Sequence, residues 1–352
     1  MSRLTVNNIR IAGISACVPS RMEENITLPI FSDETEARKV IYSTGIERRR
    51  VVEDGVTAAD LSVKGVEGLL RDLGWEAQEI DCLFYVCTSR DFIAPQTACI
   101  LQQRLGLRND ALVMDLPLGC AGWVYGMSVI GSMMSSGSFK RGLLIAAETN
   151  SRNRSKTDRT VRPLFGDAAT VTALEFNPEA DAMNFMFGVD GSGYQAVWTK
   201  YGGMRYPTTP EALELIEYDP GVSRRGTDMI VNGMNVFAFA IKTPPKALKE
   251  FISVFEIDVE KLDYLVLHQA NKFINEKIRK SLDIPSAKVP YSLEDFGNVT
   301  AASIPLTLVT RCSEALRQRH CSLLACGFGV GFSWATMNFS TRGVVITRLL
   351  EY

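Results

Sequence analysis

Two stretches decide the fold: residues 79–89, EIDCLFYVCTS, and residues 261–271, KLDYLVLHQAN. Each contains an aspartate, then a β-rich apolar run, then a polar turn. The aspartates are Asp81 and Asp263, 182 residues apart. A second pair repeats the interval: RGLLIAAETN around Leu143 and CSLLACGFGV around Leu323 are separated by 180 residues. Both first strands follow an amphipathic helix pattern, at 61–75 and from Ala240 to about Phe255, with apolar residues at three- and four-residue spacing. Any α/β protein offers some such pairs. Two intervals this close point instead to one α/β unit used twice.

Around this pair the other strands fall into place. LFYVC, LVMDL, LLIAA, YLVLH and LLACG are short and apolar on both faces, as central strands covered by helices on each side must be. The stretch 202–228 carries prolines, glycines and many charges and reads as an exposed excursion. The expected division is a first half at 1–175, a connecting segment at 176–229 and a second half at 230–352.

Composition narrows the function classes. The 352 residues are 46% hydrophobic, which excludes disorder and is enough for a full core. A net charge of −2 offers no field for a nucleic-acid backbone. No run of about 18 apolar residues occurs, so no membrane insertion is expected. The first residues, MSRLTVNNIRIAGISACVPS, lack a continuous apolar signal core. Eight cysteines are too sparse for a disulfide scaffold, and a reducing cytoplasm is the expected compartment. None forms C-x-x-C, and the odd spacing of Cys82 and Cys87 on one strand points them to opposite faces, so no metal is expected.

Four places carry possible chemistry. Cys120 lies between the end of the strand LVMDL and a helix of small and apolar residues, where free amides and the helix dipole favour thiolate. A buried inert cysteine is the alternative. His268 ends the strand YLVLH just before a helix, a usual site position in α/β folds, though such a histidine also serves as a structural residue. Asn298, in DFGNVTAASIPLTL, is read first as a turn or capping residue. Gly327, Gly329 and Gly331 alternate in a tight turn that exposes backbone amides, which suits an oxyanion better than a dinucleotide, since a strand follows.

Taken together, these pieces resemble the thiolase-fold condensing enzymes, closest to the β-ketoacyl-[acyl carrier protein] synthase III family. The matching motifs are Ser43-Thr44-Gly45-Ile46, Cys120-Ala121-Gly122, Phe165-Gly166-Asp167, His268-Gln269-Ala270-Asn271, Gly297-Asn298 with Ala301-Ala302-Ser303-Ile304-Pro305, and Gly329 to Trp334. The resemblance implies a five-layered α-β-α-β-α fold, a homodimer, and a triad of Cys120, His268 and Asn298. It implies that Cys120 takes an acyl group from a thioester, with the backbone amides of Cys120 and Val330 holding the oxyanion. A malonyl thioester bound to acyl carrier protein then loses CO2 and condenses with the acyl group. No cofactor is implied beyond these thioester substrates. Fatty-acid initiation and a specialised secondary pathway both remain open.

Three departures bear on specificity. The family's adenine-clamping Trp and Arg are replaced by Lys39 and Ser43, while Arg159 keeps a basic position; the donor is therefore expected to be a carrier-protein thioester rather than coenzyme A, since phosphopantetheine has no adenine to stack. Ala94, before Pro95, stands where acetyl-preferring members place Phe, which implies a larger acyl pocket. Asn271, Lys272, Lys277, Arg279 and Lys280 make a segment able to dock an acidic carrier, or simply a solvated face. An alternative reading keeps acylation of Cys120 but passes the acyl group to an oxygen or nitrogen without decarboxylation, with His268 as general base.

Overall fold

The computed structural model describes all 352 residues, Met1–Tyr352. In the first half β1 (Ile9–Val18), β2 (Cys82–Val86), β3 (Leu112–Leu116), β4 (Arg141–Thr149) and β5 (Asp167–Phe176) alternate with α1 (Ala58–Leu73), α2 (Thr97–Leu105) and α3 (Gly122–Met134). The second half contains β6 (Met183–Val189), α4 (Gly233–Val254), β7 (Tyr264–Leu267) and α5 (Lys272–Ser281), followed by α6 (Ser303–Arg311), β8 (Cys321–Gly329) and β9 (Ser333–Thr341). The strands lie in the order β1-β5-β4-β2-β3 in one sheet and β6-β9-β8-β7 in the other. These are the same order, with only a counterpart of β3 absent. Pairing sense agrees as well: β2 is parallel to β4 and β7 to β8, while β4–β5 and β8–β9 are antiparallel.

The repeated aspartate has a structural cause. Asp81 accepts hydrogen bonds from the Lys140 and Arg141 amides at 2.6 and 3.1 Å, and Asp263 accepts from the Ser322 amide at 2.8 Å. Each carboxylate thus ties the start of its own strand to the start of the parallel neighbour, satisfying amides that the ladder leaves open. Helix ends are specified just as locally. Thr57 and Asp60 form a capping box at the start of α1, and Gly74 ends it in the left-handed region. The α2 amides of Thr97 and Ala98 are taken by the Asp115 carboxylate from β3, both at 2.8 Å.

Three apolar clusters fill the gaps between five layers. The largest lies in the middle and joins both sheets to α3 and α6 through residues such as Trp123, Ile130, Ile304 and Leu308. A second packs α1 and α2 on the outer face of the first sheet. A third packs α4 and α5 on the second sheet. Cys82 points into the central cluster and Cys87 into the outer one, opposite faces as their spacing requires.

One boundary moves. β6, drawn into the connecting segment by the sequence reading, pairs with β9 inside the second sheet, so the second half begins at Met183. Its run MNFMFGV lies between polar turns that mimic a linker. The chain ends also cross over: Ser2–Val6 pairs with β6, while Val345–Ile346 and Leu350–Glu351 pair with β1. The excursion at 202–228 is largely exposed and includes a hairpin of Ile216–Asp219 with Val222–Arg224.

Candidate active site

Cys120 sits on the turn between β3 and α3, one residue ahead of the helix cap Ala121. No side chain caps this helix, and the Gly122 amide turns back to the Gly119 carbonyl at 2.7 Å. The amides of Cys120 and Val330 donate to no carbonyl and remain free for another acceptor. The alternating glycines are pressed against this turn. A Cβ at Gly329 would lie 2.7 Å from Cys120 Sγ, and one at Gly327 would lie 2.8 Å from Ala121 Cα. Burial pushes the Cys120 thiol up to about 11, against the Val330 and Cys120 amides that pull it down. Here the sequence expectation of a thiolate is corrected: desolvation outweighs the two backbone amides, so the resting sulfur carries its proton at neutral pH.

His268 follows β7 and is 1% exposed. Its amide donates to the Cys326 carbonyl at 2.9 Å, and its own carbonyl accepts from Asn275 Nδ2 at 3.0 Å. Nδ1 meets the Ser303 hydroxyl at 2.8 Å, and that hydroxyl already accepts the Gln269 amide at 3.3 Å. The hydroxyl proton is therefore available for Nδ1, an assignment that leaves the imidazole proton on Nε2. Burial drives the imidazole down to about 3, opposed only by a contact at Thr300, so His268 is neutral. Phe328 closes one side, its ring edge-on at 5.6 Å.

Asn298 is held by its backbone, whose amide donates to the Leu164 carbonyl at 2.8 Å. Its Oδ1 accepts the Thr300 amide at 2.9 Å. The oxygen is thereby engaged, and Nδ2 is left as a donor. Cys120, His268, Asn298 and Val330 all line one cavity of about 410 Å3. Its walls are otherwise mostly apolar, from Phe165, Val197, Trp198, Phe237 and Phe239 among others. An apolar enclosure with two neutral N–H donors and two free amides can stabilise a transient oxyanion without supplying a full charge.

The remaining sequence candidates are spread more widely. Asn271 borders the cavity and caps α5, its Oδ1 accepting from Phe273 at 2.8 Å and Ile274 at 3.3 Å. Lys272 pairs with Glu294, and Lys277 lies over the Phe273 ring at 5.2 Å. Arg279 is forked onto Glu276 and donates to the Ile284 carbonyl at 2.7 Å, so its charge is neutralised within the fold. Lys280 forms no ion pair. Arg159 pairs with Glu36 at 3.1 Å and shares a separate surface hollow with Lys39. Ala94 and Pro95 are exposed and do not line the cavity of their own chain. No group of three or more His, Cys, Asp or Glu side chains is placed to hold a metal ion, and no helix is long and apolar enough to cross a membrane.

Several residues at the site escape a reading of motifs alone. Ser303 sets the histidine tautomer, Phe328 sets its surroundings, and Arg154 lines the cavity from within a segment, RNRSKTDR, that looks solvated. Only the Ser303 spacing within AASIP offered a signal.

A buried cysteine just ahead of a central helix, sharing one cavity with a histidine and an asparagine from a duplicated second half, fits a thiolase-fold enzyme of acyl transfer. Comparisons with known proteins narrow this. The profile described as 3-oxoacyl-[acyl-carrier-protein (ACP)] synthase III matches residues 114–191, and that of its C-terminal part matches residues 254–340. β-Ketoacyl-[acyl-carrier-protein] synthase III of Streptococcus agalactiae is 32% identical over 93% of this chain and 98% of its own. The protein of that name from Xanthomonas euvesicatoria is also 32% identical, over 93% and 96%. A crystal structure of a 3-oxoacyl-(acyl-carrier protein) synthase from Burkholderia xenovorans superimposes with TM-score 0.93 at 31% identity, covering 100% of this chain and 99% of that one. The chain belongs to the β-ketoacyl-[acyl-carrier-protein] synthase III family and is a condensing enzyme of the acyltransferase class.

Proposed function

We propose that Cys120 carries an acyl group and that His268 and Asn298 drive its decarboxylative condensation with a malonyl thioester. The supporting observation is that these side chains, drawn from opposite halves, face one apolar cavity with Nε2–H and Nδ2–H unengaged. In the first step Cys120 Sγ attacks the thioester carbonyl, the donor thiol departs with the proton, and the free amides of Cys120 and Val330 hold the tetrahedral oxyanion. Because the resting group is a thiol, its proton passes to the donor sulfur as the donor C–S bond breaks, and His268, whose Nδ1 is held by Ser303, stays a hydrogen-bond donor throughout.

In the second step the malonyl carboxylate leaves as CO2, and its electron pair becomes an enolate. The developing negative oxygen lies between His268 and Asn298, where two neutral donors stabilise it without binding the carboxylate that must depart. The carbanion attacks the acyl carbonyl, the C–S bond to Cys120 breaks, and a β-ketoacyl thioester is released. None of these steps calls on a metal or a redox cofactor.

The working unit in this reading is a cytoplasmic homodimer. β3 is the open edge of the first sheet, and its residues are partly exposed and mainly apolar. A second copy adding at that edge would satisfy both the open ladder and the apolar face. It would also bring the exposed 92–95 loop, with Ala94, toward the partner's acyl cavity. Lys272, Lys277 and Lys280 on α5, next to the Asn271 rim, form the proposed docking face for an acidic carrier protein. The test is to incubate acyl-loaded enzyme with a malonyl thioester. Release of CO2 and a product two carbons longer supports condensation. Transfer to an alcohol or amine without CO2 supports the alternative, and no mass gain at Cys120 rejects both.

A further inference from the structure

Arg154 is 4% exposed and is the only charged side chain lining the cavity that holds Cys120. Its guanidinium stacks on the Phe165 ring at 4.3 Å, with Nη2 donating to Asn150 Oδ1 at 2.9 Å and Nη1 to Asn153. Glu148, Asp167 and Asp228 attract it from a distance, yet none is close enough to form an ion pair. Two buried donors in this cluster have no partner: Arg154 Nε and Asn150 Nδ2. Burial lowers the guanidinium to about 10, which leaves it charged at neutral pH.

A desolvated cation without a paired anion is costly, and each orphaned buried donor adds to that cost. Such a group persists where a ligand completes it. A neutral oxygen would satisfy one hydrogen bond but not the charge. A carboxylate satisfies the charge of the one cation in an otherwise uncharged cavity wall.

That carboxylate is unlike the one lost as CO2. A cation bound to the departing carboxylate would stabilise the ground state and oppose decarboxylation. The matching ligand is therefore an anion that stays on the substrate. We propose that the acyl group loaded on Cys120 bears a distal carboxylate, that of a dicarboxylic acid monothioester, which the Arg154 guanidinium receives. Loading remains plain thioester exchange: the Cys120 S–C bond forms, the donor S–C bond breaks, the thiol proton passes to the departing sulfur, and the distal carboxylate is untouched. This rests on the acyl-carrying role of Cys120 proposed above and names the substrate class for it.

The test compares N-acetylcysteamine thioesters matched in carbon number: succinyl with butyryl, glutaryl with valeryl, adipyl with hexanoyl. Intact-protein mass spectrometry follows loading of the full-length enzyme. The expected result is that at least one carboxyacyl group loads about tenfold faster than its neutral match. Arg154→Met should reverse that ratio and Arg154→Lys should reduce it without reversal. Ratios within each variant cancel any general loss of folded protein. Neutral groups loading as fast or faster in every wild-type pair would overturn the proposal, as would a preference that survives Arg154→Met. Loading of neutral groups alone defeats this inference and leaves the role of Cys120 standing; loading of none defeats both.

Discussion

The two halves place matching loops at the same cavity and use their hydrogens differently. Just beyond β2, Thr88 and Ser89 direct both amides and both hydroxyls into the Glu148 carboxylate, at 2.7–3.1 Å. Just beyond β7, His268 engages one nitrogen with Ser303 and leaves the other free. The cause lies in the neighbouring strand. Ala146 pairs with Val86 in the first sheet and Cys326 with Leu267 in the second. Two residues past these pairs stand Glu148 and Phe328 respectively. The first half thus closes its strand end around a buried carboxylate, and the second faces its strand end with a ring that accepts no hydrogen bond from it. Duplication supplies the geometry twice, and the copy whose donors stay unengaged is the one that can meet a substrate oxygen.

The central helices repeat the contrast. Cys120 precedes α3 and Asn298 precedes α6, so corresponding loops deliver a thiol in one half and a carboxamide in the other. If the halves divide the labour this way, substitutions should separate loading from condensation. The largest effect belongs to Cys120→Ala, which should abolish acyl loading while leaving the thermal transition in place; mass spectrometry and calorimetry check both parts. Continued loading at another cysteine would break the comparison outright. Next come His268→Ala and Asn298→Ala, each expected to lower condensation about 10²–10³-fold, the range for loss of one oxyanion donor. Asn298→Ala should still load Cys120, because its donor serves only the second step. Stopped-flow loading set beside CO2 release separates the two, and equal losses in both would undo the assignment of Asn298.

Ser303→Ala is expected to have a smaller effect, about tenfold on kcat with KM nearly unchanged, since without its hydroxyl the imidazole proton is free to occupy either nitrogen. Ser303→Thr, which restores the hydroxyl, should recover most of the rate. A purely packing role for Ser303 would not be rescued in that way. Ser303 acts through His268 and is a positioning residue.

Much of this was legible in the chain, for physical reasons that stop at a definite point. Asp81 and Asp263 revealed the repeat because each does a local job, capping the next strand, that only a short acceptor at that place performs. Cys120, His268 and Asn298 sit at strand and helix ends, where sequence punctuation is clearest. Arg154 was illegible: its segment is polar and charged, and only the closure of Phe165 and the cavity wall over it makes it buried. The protonation of Cys120 escapes the sequence for a related cause, since a helix end is local and can be read, whereas desolvation is a property of the assembled core. β6 reads as a linker in the chain because its partner, β9, lies about 150 residues further on.

The smallest effect sharpens the comparison at its origin. Asp81→Asn and Asp263→Asn should each destabilise the fold by about 1–3 kcal/mol, because each leaves strand amides with a weaker acceptor and breaks a contact with Arg108 or Arg319. Equal losses by chemical denaturation would mean that the two copies kept the same mechanical role after their chemistry diverged. For Asp263 the acid dependence can be signed. Burial pushes its carboxyl up, but the Ser322 amide and Arg319 outweigh burial and hold it below the ordinary value. Its contribution is then fully present above the unfolded-state pKa, and falls away as pH drops through the lowered folded-state value. Wild type should therefore lose its advantage over Asp263→Asn in the acid range and retain it at neutral pH. An advantage that does not shrink on acidification would show that Asp263 acts through packing and not through its charge.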